Sequence, residues 1–573
     1  MDQVEVLIAN TGKRMKVAQG ITLAQIASKL PNLTEYPVLG ALVNNEVSHL
    51  QYRVYNPKLI KFFDITSKLG MRMYTSSLTF LLYKAVRICY PNARLEIVHS
   101  MLNGYYCRIW EDDDKSDEIV TPGAPTLGYP AGKKNSLEVA SKVRACMIEL
   151  QHADLSFESK NLFLADAIEL MSLENAPTTL NLLKDLQQLF INLQMLDGTP
   201  HKIVYAMVPS TGCLTTWDFR LFEEGYMLCT PDADTPDKLS LFQETPKLFQ
   251  VFQEHHKWVE LLHAPTITDL NYIVRNGGAN HLIHVSEALH EKKYCDIAEA
   301  INQRRNNVKV VLLAGPSSSG KTTSCRRLSV QLSVLGFDVQ QMSLDDYFVS
   351  RSQTPLQPNG EHDFEALGAL NVPLINEHLL RLFRGEKVEI PTYDFIKGEP
   401  YYSGKTLQMG PNSILVMEGI HALNPILTEQ VPDELKYKVY VSAMTQVAID
   451  EQNLIHTSDN RLIRRIVRDY NFRGYSALNT LKRWDSVLAG EHKHIFPYQE
   501  NADVMFNSAL LYELGVLKVY AEPQLKKVPE NCEEYAEAKR LLNFIELIEP
   551  IDPKFIPPTS IMREFLGGSS FDY

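Results

Sequence analysis

The sequence predicts an α/β protein built on a doubly wound parallel sheet, preceded by a small β-grasp domain and an α+β domain. Three observations carry this. VVLLAGPSSSGKTTS, residues 310–324, sets a glycine-rich loop between an apolar strand and an amphipathic helix. Two strand-like runs end in carboxylates, at Asp345 and Glu418. A chain of 573 residues is too long for one hydrophobic core, so several domains are expected. The expected division is 1–66, 67–280, a connecting helix at 281–306, a phosphate-loop domain at 307–530, and a helical tail at 531–573 packed on it.

Composition is that of ordinary globular protein, 45% hydrophobic and 22% charged. A net charge of -12 argues against a whole-protein nucleic-acid binder and leaves a local basic patch open. No apolar run approaches a membrane span, and the first residues lack a signal pattern. The eight cysteines are scattered with no C-x-x-C pair, which suits reduced thiols and a cytoplasmic location.

In chain order, VEVLIAN alternates and TGKRMKV follows a turn, so a β-hairpin opens the chain. Thr22 to Leu30 has helical spacing with Thr22 as N-cap, and VLGALVNN and LIKFFDI read as strands. This order resembles a TGS domain, the ubiquitin-like module at the front of threonyl-tRNA synthetases and some GTPases. That resemblance implies contact with RNA or the ribosome. A folded spacer is the alternative, since no aromatic-plus-basic surface stands out.

The next stretch reads as helix, turn, strand and hairpin. Asn103-Gly104-Tyr105-Tyr106, and Val208-Pro209-Ser210 to Tyr226, resemble the second additional domain of threonyl- and alanyl-tRNA synthetases. The four editing positions of that domain fall at Ser76, Phe80, Ile203 and Met207, none a metal ligand or base of the needed kind. The resemblance therefore implies the scaffold without the editing chemistry. Acidic residues 111–114 and the Pro/Gly-rich stretch 121–132 read as a mobile loop, a solvated charge run being the default reading of the acidic residues. His281, His284 and His290 near Cys295 lie in an amphipathic pattern with Leu289, Ile297 and Ile301 on its apolar side, which favours a helix over a zinc site. The same caution covers His492 and His494.

The loop Gly315, Pro316, Ser317, Ser318, Ser319, Gly320, Lys321, Thr322 fits G-x-x-x-x-G-K-[ST], and these residues together with Thr323, which continues into the helix, are expected to bind ATP. Its glycines let backbone N–H groups wrap a phosphate, and the helix dipole adds positive charge there. Lys321 would reach the β/γ-phosphates, and Thr322 would hold Mg²⁺. A chance glycine-rich turn is the bland alternative. Asp345 closes one strand, where a carboxylate takes the proton of an attacking hydroxyl or helps hold the metal. Glu418 closes another and would bind Mg²⁺ directly or through water. Arg461, Arg465 and Arg468 share one helical face, suited to a lid that clamps phosphates, a salt-bridged surface helix being the alternative.

GPSSSGKTT, LDDYF, IPTYDF (390–395), MEGI (417–420) and DNRLIRRIVRDYNFRG (459–474) resemble, in order and spacing, the uridine–cytidine kinases of the uridine kinase/phosphoribulokinase family. The resemblance implies a P-loop kinase using ATP and Mg²⁺ to phosphorylate the 5′-hydroxyl of a ribonucleoside in pyrimidine salvage. It implies Asp345 as general base beside the metal and Glu418 as its companion there. It further implies Asp363 on the ribose hydroxyls, Tyr393 and Phe395 on the base, Arg465 lining the substrate site, and Arg468 and Arg473 on phosphates. Three positions depart from the family pattern. Gly398 replaces a base-reading His, Tyr475 an Arg, and Arg483 a Gln. A lost hydrogen-bond partner shifts preference strongly, so a sugar or sugar phosphate remains the alternative acceptor. A translation-linked RNA-binding protein with a nucleotide-switch loop is the reading from another class. A homo-oligomer is expected, with a small-molecule substrate and no membrane partner.

Overall fold

The computed structural model describes the chain except residues 1–2, 102–103, 112–135, 203, 240–244, 358–359, 361, 395–396, 446 and 573. Phe395, Asn103, Ile203 and the Pro/Gly-rich stretch 121–132 therefore lie outside the described residues, as does all but the first residue of the acidic run.

At the N-terminus, five strands share one sheet in the order Lys13–Ala18, Gln3–Ile8, Lys58–Phe63, Gly40–Val43, Glu46–His49. The central pair, Gln3–Ile8 and Lys58–Phe63, runs parallel, and the other pairings are antiparallel. Val6, Ile8, Ile60 and Phe62 point to one core, as period-two alternation requires. The short helix Leu23–Ala27 starts at a capping box: the Thr22 side chain accepts from Gln25 N–H, and the Gln25 side chain accepts from Thr22 N–H. Leu23 and Ile26 then enter the same core.

The middle region is α+β. The 22-residue helix Lys68–Cys89 and the helix Leu137–His152 pack with a four-stranded antiparallel sheet, ordered Asp218–Phe222, Gly225–Cys229, Gly104–Glu111, Ala93–Met101. Phe80 is fully buried, its ring 5.9 Å from Phe157 and 5.1 Å from His201. Met207 is buried too, its sulfur 3.6 Å from the Ser77 hydroxyl.

In the C-terminal region, five parallel strands run in the order Asp338–Ser343, Ser413–Glu418, Val310–Ala314, Lys436–Ser442, Val504–Asn507. Every residue of Val310–Ala314 is buried, because helices cover both faces. Val311, Leu313, Ile414 and Val416 face one layer with Leu328, Ile301 and Leu541. Val310, Leu312, Leu415 and Met417 face the other with Phe252, Ile375 and Leu379.

The stretch 246–303 shares these layers. Leu248, Val251 and Phe252 of helix Pro246–Leu261 lie on one face, while Ile267, Leu270, Ile297 and Ile301 lie on the other. Helix Ala279–Gln303 is thus part of a sheet face as well as a connection, because its apolar stripe needs cover. Within it, His290 is 1% exposed, its Nε2 3.2 Å from the Ala509 carbonyl oxygen.

The tail helix Glu534–Ile545 buries Ala538, Leu541 and Phe544 in the same core. The tail around it also meets the other regions. Lys61 pairs with Glu533 at 2.7 Å, Lys539 with Glu46 at 2.6 Å, Arg72 with Glu537 at 2.5 Å, and Arg540 with Asp459 at 2.7 Å.

Candidate active site

The loop 315–320 leaves the central strand Val310–Ala314 beside Ser413–Glu418. There the strand order reverses, and doubly wound sheets open a ligand crevice at such a point. A Cβ on Gly315 would lie 1.9 Å from the Val441 carbonyl oxygen, so only glycine fits. Gly320 has φ +81°, and Ser318 takes φ +58° without being glycine. The helix Lys321–Val334 follows at once. Neighbours hold the loop's carbonyls: Arg461 donates to Ser317 O at 3.1 Å, Arg464 to Ser318 O at 3.4 Å, and the Ser508 hydroxyl to Ser319 O at 2.5 Å. Lys321 Nζ donates to its own loop at Pro316 O, 3.0 Å.

The two predicted carboxylates stand at adjacent strand ends. Ser343 pairs in register with Glu418, and Asp345 lies two residues further in the turn Leu344–Tyr347. Ser343 serves both, since its hydroxyl donates to Glu418 Oε1 at 3.1 Å and accepts from Asp345 N–H at 3.3 Å. Asp345 is open to solvent within the cleft. The protein around it raises its carboxyl, as does Asp346, while Lys321, Arg473 and Arg468 draw it down. Burial, then the Asp345 charge, pushes Glu418 up to about 7, and Lys321 opposes this. Lys321 thus acts electrostatically on both acids. Among the described residues no group of three or more His, Cys, Asp or Glu side chains could hold a metal. Two carboxylates and the Thr322 hydroxyl are nevertheless hard oxygen donors that suit Mg²⁺, which keeps several waters and completes its shell with phosphate oxygens.

The helix Thr457–Arg473 divides its arginines by role. Asp469, 2% exposed, accepts from Arg465 at 3.3 Å, lies 3.1 Å from Arg468 and 3.4 Å from Arg473, and so gathers three guanidiniums. Arg465 also donates to the Ser317 hydroxyl at 2.9 Å, which brings this group against the loop. Burial lowers the Arg465 and Arg473 guanidiniums. Arg461 does not join them. Although it shares a helical face with Arg465 and Arg468, it is 2% exposed and makes a bidentate pair with buried Glu491, at 2.5 and 2.7 Å. Arg464 is paired with Glu513 in the same buried way.

Of the expected acceptor contacts, Asp363 Oδ2 lies 3.8 Å from His494 Nε2, and Asp363 Oδ1 accepts from Glu365 N–H at 3.2 Å. Tyr393 is 8% exposed, its ring 5.5 Å from that of Phe348. Gly398 has φ +76°, and a Cβ there would lie 2.8 Å from Arg351 Nε. Arg351 N–H also donates to Gly398 O at 2.8 Å. A histidine at this position would be strained and crowded. The other two departures meet each other, with the Arg483 guanidinium 4.7 Å from the centre of the Tyr475 ring.

Sequence reasoning missed Asp469, Glu491 and Glu365. Asp469 carried a signal, standing four residues from both Arg465 and Arg473. Glu491 and Glu365 carried none, because they reach the site from distant segments. Burial, then Glu491, pushes Glu365 up to about 7, while Arg465 and Lys321 oppose.

Residues 310–511 match the model of the phosphoribulokinase/uridine kinase family, and this C-terminal region is a domain of that family. The uridine kinase of Staphylococcus haemolyticus is 28% identical over 200 residues, which are 35% of this chain and 87% of that protein. The uridine kinase of Bacillus pumilus is 29% identical over 202 residues, with the same shares. Among solved structures, D-glycerate 3-kinase from Cryptococcus neoformans is 16% identical with a TM-score of 0.27, covering 36% of this chain and 87% of that one.

Proposed function

We propose that this chain is an ATP- and Mg²⁺-dependent kinase that transfers a γ-phosphoryl group to an alcohol hydroxyl, with the 5′-hydroxyl of a uridine- or cytidine-type nucleoside as the first acceptor to test. The observation that carries it is the strand register that sets Glu418 and Asp345 side by side next to the strand leading into the loop, both bonded to Ser343, with Lys321 opening the helix after that loop. Asp345 takes the proton as the acceptor oxygen attacks phosphorus. Lys321, Arg468 and Arg473 meet the charge on the transferring group, and Asp469 keeps the arginines aligned. Thr322, Asp345 and Glu418 would hold Mg²⁺, which when bound neutralises phosphate charge. Asp363 and Arg465 orient the acceptor, and Tyr393 walls it.

Gly398 against Arg351 favours a second reading. With no imidazole available there to read a pyrimidine edge, a sugar or sugar phosphate is the alternative acceptor. For the N-terminal regions we propose a TGS-like β-grasp module and a synthetase-like scaffold that serve regulation, RNA contact or assembly of a homo-oligomer. The parallel central strand pair supports the first of these.

The test incubates the full chain with ATP, Mg²⁺ and a panel of ribonucleosides and sugars. The expected result is monophosphate product with at least one nucleoside, and weakening of both ATP binding and turnover in Lys321→Ala. Absence of product with every acceptor, together with tight RNA binding, would overturn the reading in favour of a nucleotide-switch protein.

A further inference from the structure

The end of the tail returns to the phosphate loop and is anchored there. The Ser560 hydroxyl donates to Glu287 Oε1 at 2.5 Å, which also accepts from the Tyr512 hydroxyl at 2.6 Å. Ile561, Met562 and Phe565 are wholly buried. The Arg464 guanidinium lies 5.1 Å from the centre of the Phe565 ring, and Asn471 Nδ2 donates to Phe565 O at 3.0 Å. A Cβ on Gly320 would come within 2.7 Å of the Ile561 side chain, so the tail packs directly on the cradle.

Between these anchors Glu564 turns toward the loop helix. Its Oε2 accepts from the Thr323 backbone N–H at 3.2 Å and from the Thr323 hydroxyl at 2.6 Å. Thr323 is the third residue of the helix Lys321–Val334, in the first turn, where backbone N–H groups point out of the helix end. In a phosphate-binding loop that donor faces the nucleotide's phosphates, where the helix dipole also favours negative charge. A carboxylate answers the same donor and the same dipole. It cannot share them with a phosphate oxygen, because two anions competing for one N–H repel. The Glu564 charge also reaches Glu418 and raises its carboxyl further.

We propose that Glu564 is a residue of the nucleotide site: its carboxylate stands in a phosphate seat of the cradle, and a nucleotide binds by displacing that side chain while the tail backbone stays anchored. This rests on reading residues 315–323 as a nucleotide cradle. The tail is then an internal competitor that sets nucleotide affinity. Only rotation of one side chain is needed, since the neighbouring contacts are made by Ser560, Ile561, Met562 and Phe565.

The test measures equilibrium binding of ATP, inorganic triphosphate and adenosine to the full chain and to Glu564→Gln and Glu564→Ala. Glutamine keeps an oxygen for the helix end and removes only the charge, so the fold is retained. Both variants are expected to bind ATP and triphosphate tighter by about threefold or more, with adenosine unchanged. Unchanged or weaker triphosphate binding overturns the proposal. Equal tightening of adenosine overturns it as well, because that would report a loosened tail and no freed phosphate seat. Lys321→Ala separates the two levels: if ATP binding is unaffected by that change, the cradle reading itself fails, whatever the ratio at Glu564.

Discussion

Glu365 and Glu418 are acids held near neutrality in a cleft crowded with cations, each pushed up to about 7. An unfolded glutamate titrates near 4.5. Between about 4.5 and 7 the folded chain therefore holds protons that the unfolded chain has released, and the sign follows: stability without ligand falls as pH rises through that window. For Glu365 the full effect is on the order of 3 kcal/mol. Melting temperature measured from pH 5 to pH 8 is expected to fall in the wild type and to fall less in Glu365→Gln; parallel curves would contradict this. At this scale the sequence was legible where a residue's role is local. Gly315 and Gly320 are required by the loop they stand in, Glu418 ends an apolar run, and Asp345 stands in the turn that follows the strand Asp338–Ser343. Glu365, Glu491 and Glu564 meet the site only after the chain folds, and no short-range pattern marks such arrivals.

Among the elements, the helix Thr457–Arg473 was legible as an arginine-bearing helix but not in its division of labour. Spacing places Arg461, Arg465 and Arg468 on one face; partners decide which of them are used up. Arg461 and Glu491 form a buried pair, and Glu491 Oε1 also accepts from Ser317 N–H at 3.0 Å. Glu491→Ala would leave a buried guanidinium uncompensated, at a cost of roughly 3–5 kcal/mol. The expected outcome is a lower urea midpoint together with weaker ATP binding, since the loop loses a strut. An unchanged midpoint would show the pair to be dispensable. Likewise, the amphipathic pattern of 281–301 gave a helix, while its place against the sheet depended on which apolar faces needed cover. Periodicity describes one element's stripe and says nothing of the surface it meets.

Across the whole molecule, the tail touches the N-terminal sheet through Lys61 and Glu46, the middle region through Arg72, the arginine helix through Asp459, and the phosphate loop through Glu564. Charged pairs between distant segments could not be read from the chain, because each partner looks like an ordinary solvated residue until both are placed. The doubly wound sheet itself was legible, since its inner strands Val310–Ala314 and Ser413–Glu418 are apolar enough to be buried on both faces. Its parallel order brings the loop, Asp345 and Glu418 to one edge of the crevice, and the account depends on that arrangement. The most direct measurement compares wild type and Asp345→Asn for ATP binding and for turnover with an accepted hydroxyl substrate. ATP binding nearly unchanged with turnover lowered about 10²-fold or more is the predicted result. Turnover equal to wild type in that variant would contradict it.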